Sequence, residues 1–414
     1  MATLTAAARK VEDLVIVGGG IAGVATALGL LRIGKRSLVL ERWHELRESG
    51  ASLTLGSNAW RALDALGVAH KLLPRYYLLK SGIVTNLETG VTQHQPFVQQ
   101  NGEGDEIGPR VVHRRALLEA IAEELPPDAI RFSSKLTLMK TEQLPDSSTV
   151  YILQLDDGAI IKAKAVIGCD GVHSVVAQWL GLAAPRDSGR SAVRGLTSFP
   201  EGHGFIQQVH QFLFKEVRAG FVPVNENDVY WFVTHLTTAK VQEMGSDPEL
   251  IRRATLEDLA VDFPAEFQEI VRRSKPDSLS WARLLYRAPW NVLFGRTHRG
   301  CVTVAGDAMH PTMPDLGQGG CIALEDAVVL ARCVARAGTA KDMEESMARY
   351  VAERRWRVAW VITASFLSGY VQQASTGLWA QGVKLIRDRL FYTFIFPKII
   401  GITSYNCGTL TKAI

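Results

Sequence analysis

Short, unbroken apolar runs and amphipathic stretches alternate at the start of the chain. Residues 14–17 (LVIV) are apolar throughout and lead into three glycines, the pattern of a strand buried on both faces. Residues 22–33 carry helical spacing and stop at Gly34; residues 37–40 (SLVL) are a second buried strand. Together they predict a βαβ unit. Residues 58–66 (NAWRALDAL) predict a helix closed by Gly67, and residues 115–125 a helix stopped by Pro126 and Pro127. Residues 151–155 and 159–164 flank Asp157-Gly158, a hairpin signal, and residues 165–168 run on into Asp170-Gly171.

From about residue 193 to 290 the texture changes. Segments such as 211–214, 220–224 and 229–236 are separated by turns like Asn225-Glu226-Asn227-Asp228. They predict an antiparallel sheet with a helical insert over 248–273. Residues 301–305 (CVTVA) return to the buried-strand pattern, and from Ile322 onward the chain reads as helical. No internal repeat or low-complexity linker interrupts it.

The chain is 47% hydrophobic, enough for a large core. Its 46 basic and 42 acidic residues leave a net charge of +4, so bulk charge argues for neither nucleic-acid nor strong membrane-surface binding, and no nucleic-acid partner is expected. Cys169, Cys301, Cys321, Cys333 and Cys407 form no CxxC pair and no ligand cluster with histidine. They read as buried thiols in a reducing compartment, and no metal site is expected. Residues 1–13 lack the apolar core of a secretory signal. Residues 390–402 (LFYTFIFPKIIGI) are too short to span a bilayer and are expected to pack on the body. The expected location is cytoplasmic, with plastid or membrane-peripheral placement as the alternative.

The first chemical motif is Gly18-Gly19-Gly20-Ile21-Ala22-Gly23, a GxGxxG between a buried strand and a helix. In that setting Gly18 permits the tight turn, Gly20 lets a pyrophosphate reach the backbone, and Gly23 lets helix and strand pack closely. The helix N-terminus favours the phosphate charge. Glu41 ends the second strand 18 residues beyond Gly23 and can accept hydrogen bonds from ribose hydroxyls. Arg42, next to it, is counted among the candidate cofactor-binding residues. The motif fits either NAD(P) or FAD.

Two later motifs decide between them. Gly168-Cys169-Asp170-Gly171 follows a strand, and Gly306-Asp307-Ala308-Met309-His310-Pro311 follows another and continues to Pro314-Asp315-Leu316-Gly317-Gln318-Gly319-Gly320. In this order the three motifs resemble the class A flavoprotein monooxygenases, the group of p-hydroxybenzoate hydroxylase, salicylate hydroxylase and zeaxanthin epoxidase. The phrases GASLTLGSNAWRALDALG, VHRRALLEAI and LGQGGCIALEDAVVLA carry a resemblance to its plant members.

The resemblance implies an α/β fold: a Rossmann-like FAD-binding lobe of the p-hydroxybenzoate hydroxylase type, an interleaved antiparallel-sheet substrate lobe, and C-terminal helices. The expected FAD-lobe pieces are 1–80, 109–186 and 299–345. The substrate lobe takes 81–108 and 187–298, and the helical region 346–414. FAD is expected to be non-covalent. Asp307 would bond its ribityl chain, and Gly317, Gly319 and Gly320 would open a helix facing the ring. Gly50 and Ala51 would give a backbone contact, Arg114 a side-chain contact, and Asp170 a link to FAD and NADPH. Pro314 would border the reactive edge of the ring, and Arg194 matches an arginine proposed as catalytic. Where the family usually places an arginine after the DG motif, this chain has Ala177, which leaves NADPH binding open. Arg115 is expected on a solvated helix face, and His310 in a packed or hydrogen-bonded setting.

The activity implied is a monooxygenase in which NAD(P)H, a transient co-substrate, reduces FAD. A flavin hydroperoxide formed with O2 would then hydroxylate a small aromatic or heteroaromatic molecule. The alternatives are oxygenation of a terpenoid-like substrate on the same scaffold, and a flavin reductase or redox-dependent binding protein with no oxygenase activity. A monomer or homodimer is expected. Such a site must exclude water, and Phe212, Phe214, Phe221, Tyr230, Trp231 and Phe232 are candidates for its wall. Neighbours in a strand face opposite sides, so Tyr230 and Phe232 share one face and Trp231 takes the other.

Overall fold

The computed structural model describes residues 11–46, 52–97, 108–238, 247–373 and 401–410. The predicted βαβ unit is strand β1 (Val11–Val17), helix α1 (Ile21–Arg32) and strand β2 (Leu38–Leu40). These begin a parallel sheet completed by β7 (Ile130–Arg131), β10 (Ile160–Gly168) and β17 (Val302–Val304), in the order β17-β10-β1-β2-β7, with the short β16 (His298–Arg299) antiparallel beside β17. The hairpin β8 (Leu136–Gln143) and β9 (Thr149–Leu155) joins β10 antiparallel, and Gly158 takes the left-handed conformation its turn requires (φ +82°). Helix α2 (Ser57–Ala65) and helix α3 (Arg114–Ala122) each lie within a residue or so of their predicted start; α3 ends before Pro126.

A seven-stranded sheet forms the second lobe. Its order is β15 (Ser280–Tyr286), β11 (Arg186–Ser198), β14 (Asp228–Leu236), β13 (Val217–Pro223), β12 (Val209–Phe214), β4 (Ser81–Asn86) and β5 (Thr92–Pro96). All neighbours are antiparallel except β4 and β12. The predicted helical insert is two helices, α5 (Pro248–Ala254) and α6 (Ala265–Arg272), after the short helix α4 (Val175–Leu180). The C-terminal part holds α7 (Pro289–Leu293), α8 (Gly319–Val334) and α9 (Ala340–Gln373). A small sheet of β3 (Ser52–Leu55) and β6 (Arg110–His113) lies beside α8.

Two apolar cores follow from this layout. The larger packs both faces of the parallel sheet against α1, α2, α3 and α8. The smaller lies between the second sheet and α5 and α6, with Trp231, Phe221 and Phe267 at its centre. Cys169, Cys301, Cys321 and Cys407 are buried and Cys333 is half-buried; none is in a disulfide. No helix among the described residues is long and apolar enough to cross a membrane. Most of 390–402 lies outside the described residues, while Ile402 is buried in a short 3₁₀ turn, Gly401–Ser404.

Candidate functional site

The parallel strands finish level with one another. Val17 pairs with Gly168 and with Leu40, and Gly168 pairs with Val304. The very next residues are Gly18, Cys169, Glu41 and Ala305, so all three motifs and the acid emerge at one edge. The carboxyl ends of such a sheet are where α/β proteins bind nucleotides.

Each glycine of the first motif meets a different environment. Gly18 has φ +105°, and a Cβ there would lie 2.4 Å from the Cys169 carbonyl oxygen. A Cβ on Gly23 would lie 1.8 Å from the Gly18 carbonyl oxygen. At Gly20 a Cβ would meet nothing within 4 Å. Backbone packing therefore dictates Gly18 and Gly23, whereas Gly20 faces a vacant approach to the start of α1. That vacancy, at a helix end with no side-chain cap and no acid in its first turn, has the form a pyrophosphate needs. Glu41 is buried beside it; its Oε2 accepts from Gly19 N at 2.5 Å and its Oε1 from Trp43 N at 3.0 Å. Arg42, next to it, is exposed, its guanidinium over the Trp43 ring at 5.5 Å.

Helix α8 brings a second uncapped N-terminus to the same place. It too lacks a side-chain cap and a first-turn acid. A Cβ on Gly320 would meet Leu53 at 2.7 Å and Ile21 at 3.8 Å, while Gly319 has ordinary room beside Thr312. Gly317 closes the preceding turn, Pro314–Leu316, in the left-handed region (φ +63°).

Asp307 borders open space, in a recess deep enough that withdrawal from water pushes its carboxyl above the usual range. Positive charge on His310, Arg114 and Arg194 opposes that rise. The structure thus gathers Asp307, Arg114 and Arg194, which come from three distant parts of the sequence. Asp170 is committed locally: its carboxylate accepts from Ser174 Oγ at 2.5 Å and from Val175 N at 2.7 Å, at the start of α4. Arg115 is on the exposed face of α3, paired with Glu119 at 2.7 Å. Gly50 and Ala51 lie outside the described residues.

The second sheet covers the recess with one face only. Trp231 packs against Phe267 and donates to Ser274 Oγ at 2.6 Å, on the side of α6. Phe212 and Phe221 belong to that same core, and Phe214 packs against it through Phe263. Four of the six aromatic candidates for the wall are therefore core. Tyr230 and Phe232 take the opposite face, in register with Leu196 and Arg194 of β11 and with Val222 and Gly220 of β13. Burial raises the Tyr230 phenol above its ordinary pKa, and the charges of Arg194 and Arg218 oppose this.

Two buried ionic clusters were not anticipated from the sequence. Asp315 accepts a two-pronged contact from Arg190, 3.0 Å on each prong, and a third bond from Arg218 at 2.8 Å. It ties the turn after Pro314 to strands β11 and β13. Behind the recess, Asp326 of α8 accepts from Gly306 N at 2.9 Å and Arg354 Nε at 2.7 Å, and pairs with His310 at 2.5 Å. Glu325 beside it pairs with Arg354 at 2.7 Å and Arg357 at 2.8 Å. This cluster clamps the Gly306–His310 segment between α8 and α9. Its partners are far apart in sequence, and no local pattern marks them.

The comparisons with known proteins agree with this geometry. The FAD binding domain family matches residues 11–365. "Monooxygenase 2" of Arabidopsis thaliana is 39% identical over 96% of this chain and 98% of its own length. A "3-hydroxybenzoate 6-hydroxylase" of Klebsiella oxytoca is 29% identical, covering 88% of this chain and 90% of that protein. Among solved structures, Klebsiella pneumoniae HpxO complexed with FAD and uric acid superposes with a TM-score of 0.79 at 22% identity, over 96% of this chain and 98% of that one. That likeness establishes the shared fold of a mixed α/β FAD-binding lobe and an antiparallel lobe. On the family match and the Arabidopsis relative, the chain belongs to the class A flavoprotein monooxygenases, FAD-dependent enzymes.

Proposed function

We propose that the protein uses NAD(P)H and O2 to hydroxylate a small, polar aromatic or heteroaromatic molecule held between the two sheets. What supports this reading is that Asp307, at the carboxyl edge of the parallel sheet, feels the charges of Arg114 and Arg194, and that Arg194 shares a sheet face with Phe232 and Tyr230. Bound FAD would supply the oxygen-activating redox chemistry. Within this chain, Glu41 would accept from ribose hydroxyls, and the N-termini of α1 and α8 would hold negative charge. Asp307 and Arg114 would bind the rest of the cofactor, and Pro314 would border its reactive edge. Arg194 would orient the substrate, while Tyr230 and Phe232 exclude water.

An arginine and a phenol on the covering face favour a small polar ring over a long polyene. Incubation with NADPH, labelled oxygen and panels of aromatic and terpenoid compounds tests this. The expected result is a compound that accelerates NADPH oxidation and gains one labelled oxygen on its ring. Label only in terpenoid products would transfer the assignment to the alternative substrate class.

Glu41→Ala is expected to weaken FAD binding by roughly 1.5–3 kcal/mol, about ten- to a hundred-fold, through loss of a charge-assisted bond. Titration of apoprotein with FAD, followed by quenching of flavin fluorescence, measures this. Unchanged affinity would remove Glu41 from the ribose site.

A further inference from the structure

The outward face of α9 changes character along its length. Its first half presents Glu345 and Arg349, but after Arg354 the same face carries Trp356, Trp360, Leu367 and Tyr370. These recur at the helical period and form one stripe. Trp356 is 67% exposed and Tyr370 62%. Helix α7 lies alongside, held where Arg355 donates to the Leu293 carbonyl at 3.2 Å, and adds Trp290 and an 82% exposed Phe294. Five aromatic rings, each more than half exposed, make on the order of 500 Å² of apolar surface, the size of patch that in soluble monomers is often functional.

The charges that border the rings directly are arginines. Residues 354–373 hold no acid; of their three arginines, Arg354 and Arg357 are taken up by Glu325 and Asp326, which leaves Arg355, half-buried beside Trp356. Arg186 sits over the Trp290 ring at 5.2 Å, and Arg296 is exposed next to Phe294. A second copy of this face would bring arginine against arginine. Residues 374–400, which continue the chain, are also net basic in sequence. The complementary partner is therefore anionic, and it must accept tryptophan and tyrosine rings at a boundary between apolar and wet surroundings.

We propose that the face formed by α7 and the second half of α9 seats the protein peripherally on an anionic lipid surface. The rings would enter the headgroup layer, and Arg186 and Arg296 would meet lipid phosphates. This does not depend on the chemistry proposed above.

The test is co-sedimentation of the full-length, FAD-loaded protein with vesicles. Phosphatidylcholine mixed with phosphatidylglycerol is compared with phosphatidylcholine alone. Partitioning is expected to be at least about tenfold stronger on the anionic vesicles and to weaken with salt. The double variant Trp356→Ser/Trp360→Ser should keep its FAD content and melting temperature, because both side chains are exposed. It should lose at least about tenfold in vesicle partitioning. The proposal is overturned if the parent stays in the supernatant. It is equally overturned if the double variant sediments like the parent, which would place the contact elsewhere, residues 374–400 included. A parent dimer that the double variant converts to monomer, with no vesicle binding by either, would assign the face to a second copy.

Discussion

Arg354→Met is expected to lower the stability of the protein by about 3–5 kcal/mol, with the denaturant midpoint falling accordingly. Arg354 is fully buried and serves two carboxylates, Glu325 and Asp326, that are themselves wholly enclosed. Methionine matches its bulk but leaves both acids short of a cation. Replacing the whole cluster by apolar residues is a different experiment and need not cost much; removing one member strands the others. Arg357 still reaches Glu325 and His310 still reaches Asp326, so the effect should fall in the lower part of that range. The control is Arg332→Met, whose pair with Glu353 lies at the surface and should be worth under about 1 kcal/mol. Equal midpoints for the two variants would show that the buried cluster contributes no more than a surface pair.

The same cluster sets a pH dependence. Burial alone would raise the Asp326 carboxyl, but the charges of His310 and Arg354 outweigh it and hold it at about 2, below the ordinary 3.8. A depressed carboxylate contributes stability that is complete above its unfolded pKa and is lost as pH falls toward its folded one. The contribution should therefore be full at neutral pH and decline from about pH 4 to about pH 2. In Arg354→Met the folded value rises, so the acid limb of the stability curve should lose this component.

The second large effect concerns Gly20 and Gly23, which should fail in different ways when changed to alanine. At Gly23 the new methyl would overlap the Gly18 carbonyl, a backbone atom that cannot swing aside. The start of α1 must then withdraw from β1. FAD affinity should drop at least about a hundredfold, the equivalent of about 3 kcal/mol, and the apoprotein should melt lower. Gly20→Ala meets no protein atom. Its apoprotein should melt like the parent, yet bind FAD at least about tenfold more weakly because the methyl fills the approach a pyrophosphate would use. Parent-like FAD binding by Gly20→Ala would mean that no phosphate approaches there.

Legibility in the sequence followed locality. The βαβ unit and the β9–β10 hairpin were readable because pattern and turn lie within a few residues of each other. Strand β5 was not, since Thr92–Pro96 is an edge strand of polar residues with no alternation. Strand β4 finds its partner β12 more than a hundred residues on, at Gly82 with Val209, a pairing no local signal specifies. The site shows the same division. Gly18, Gly20, Gly23 and Glu41 announce themselves at short spacing. Asp315 does not, because Arg218 and Arg190 come from 97 and 125 residues away. Which aromatic face borders the recess is decided by α6, which covers the Trp231 side from more than thirty residues away.

The level finish of the parallel strands limits how the length of this chain can vary. Three motifs and an acid share one edge only because β1, β2, β10 and β17 stop at matched residues. Deleting one residue from within β10 would draw Asp170 back by about 3.3 Å and turn every later side chain of that strand to the opposite face. A residue added to the turn between β8 and β9 shifts nothing at that edge, because that turn joins two strands outside the parallel set. Tolerance to insertion and deletion should therefore be set by which end of a strand a loop serves, and not by how far along the sequence it falls from the glycines.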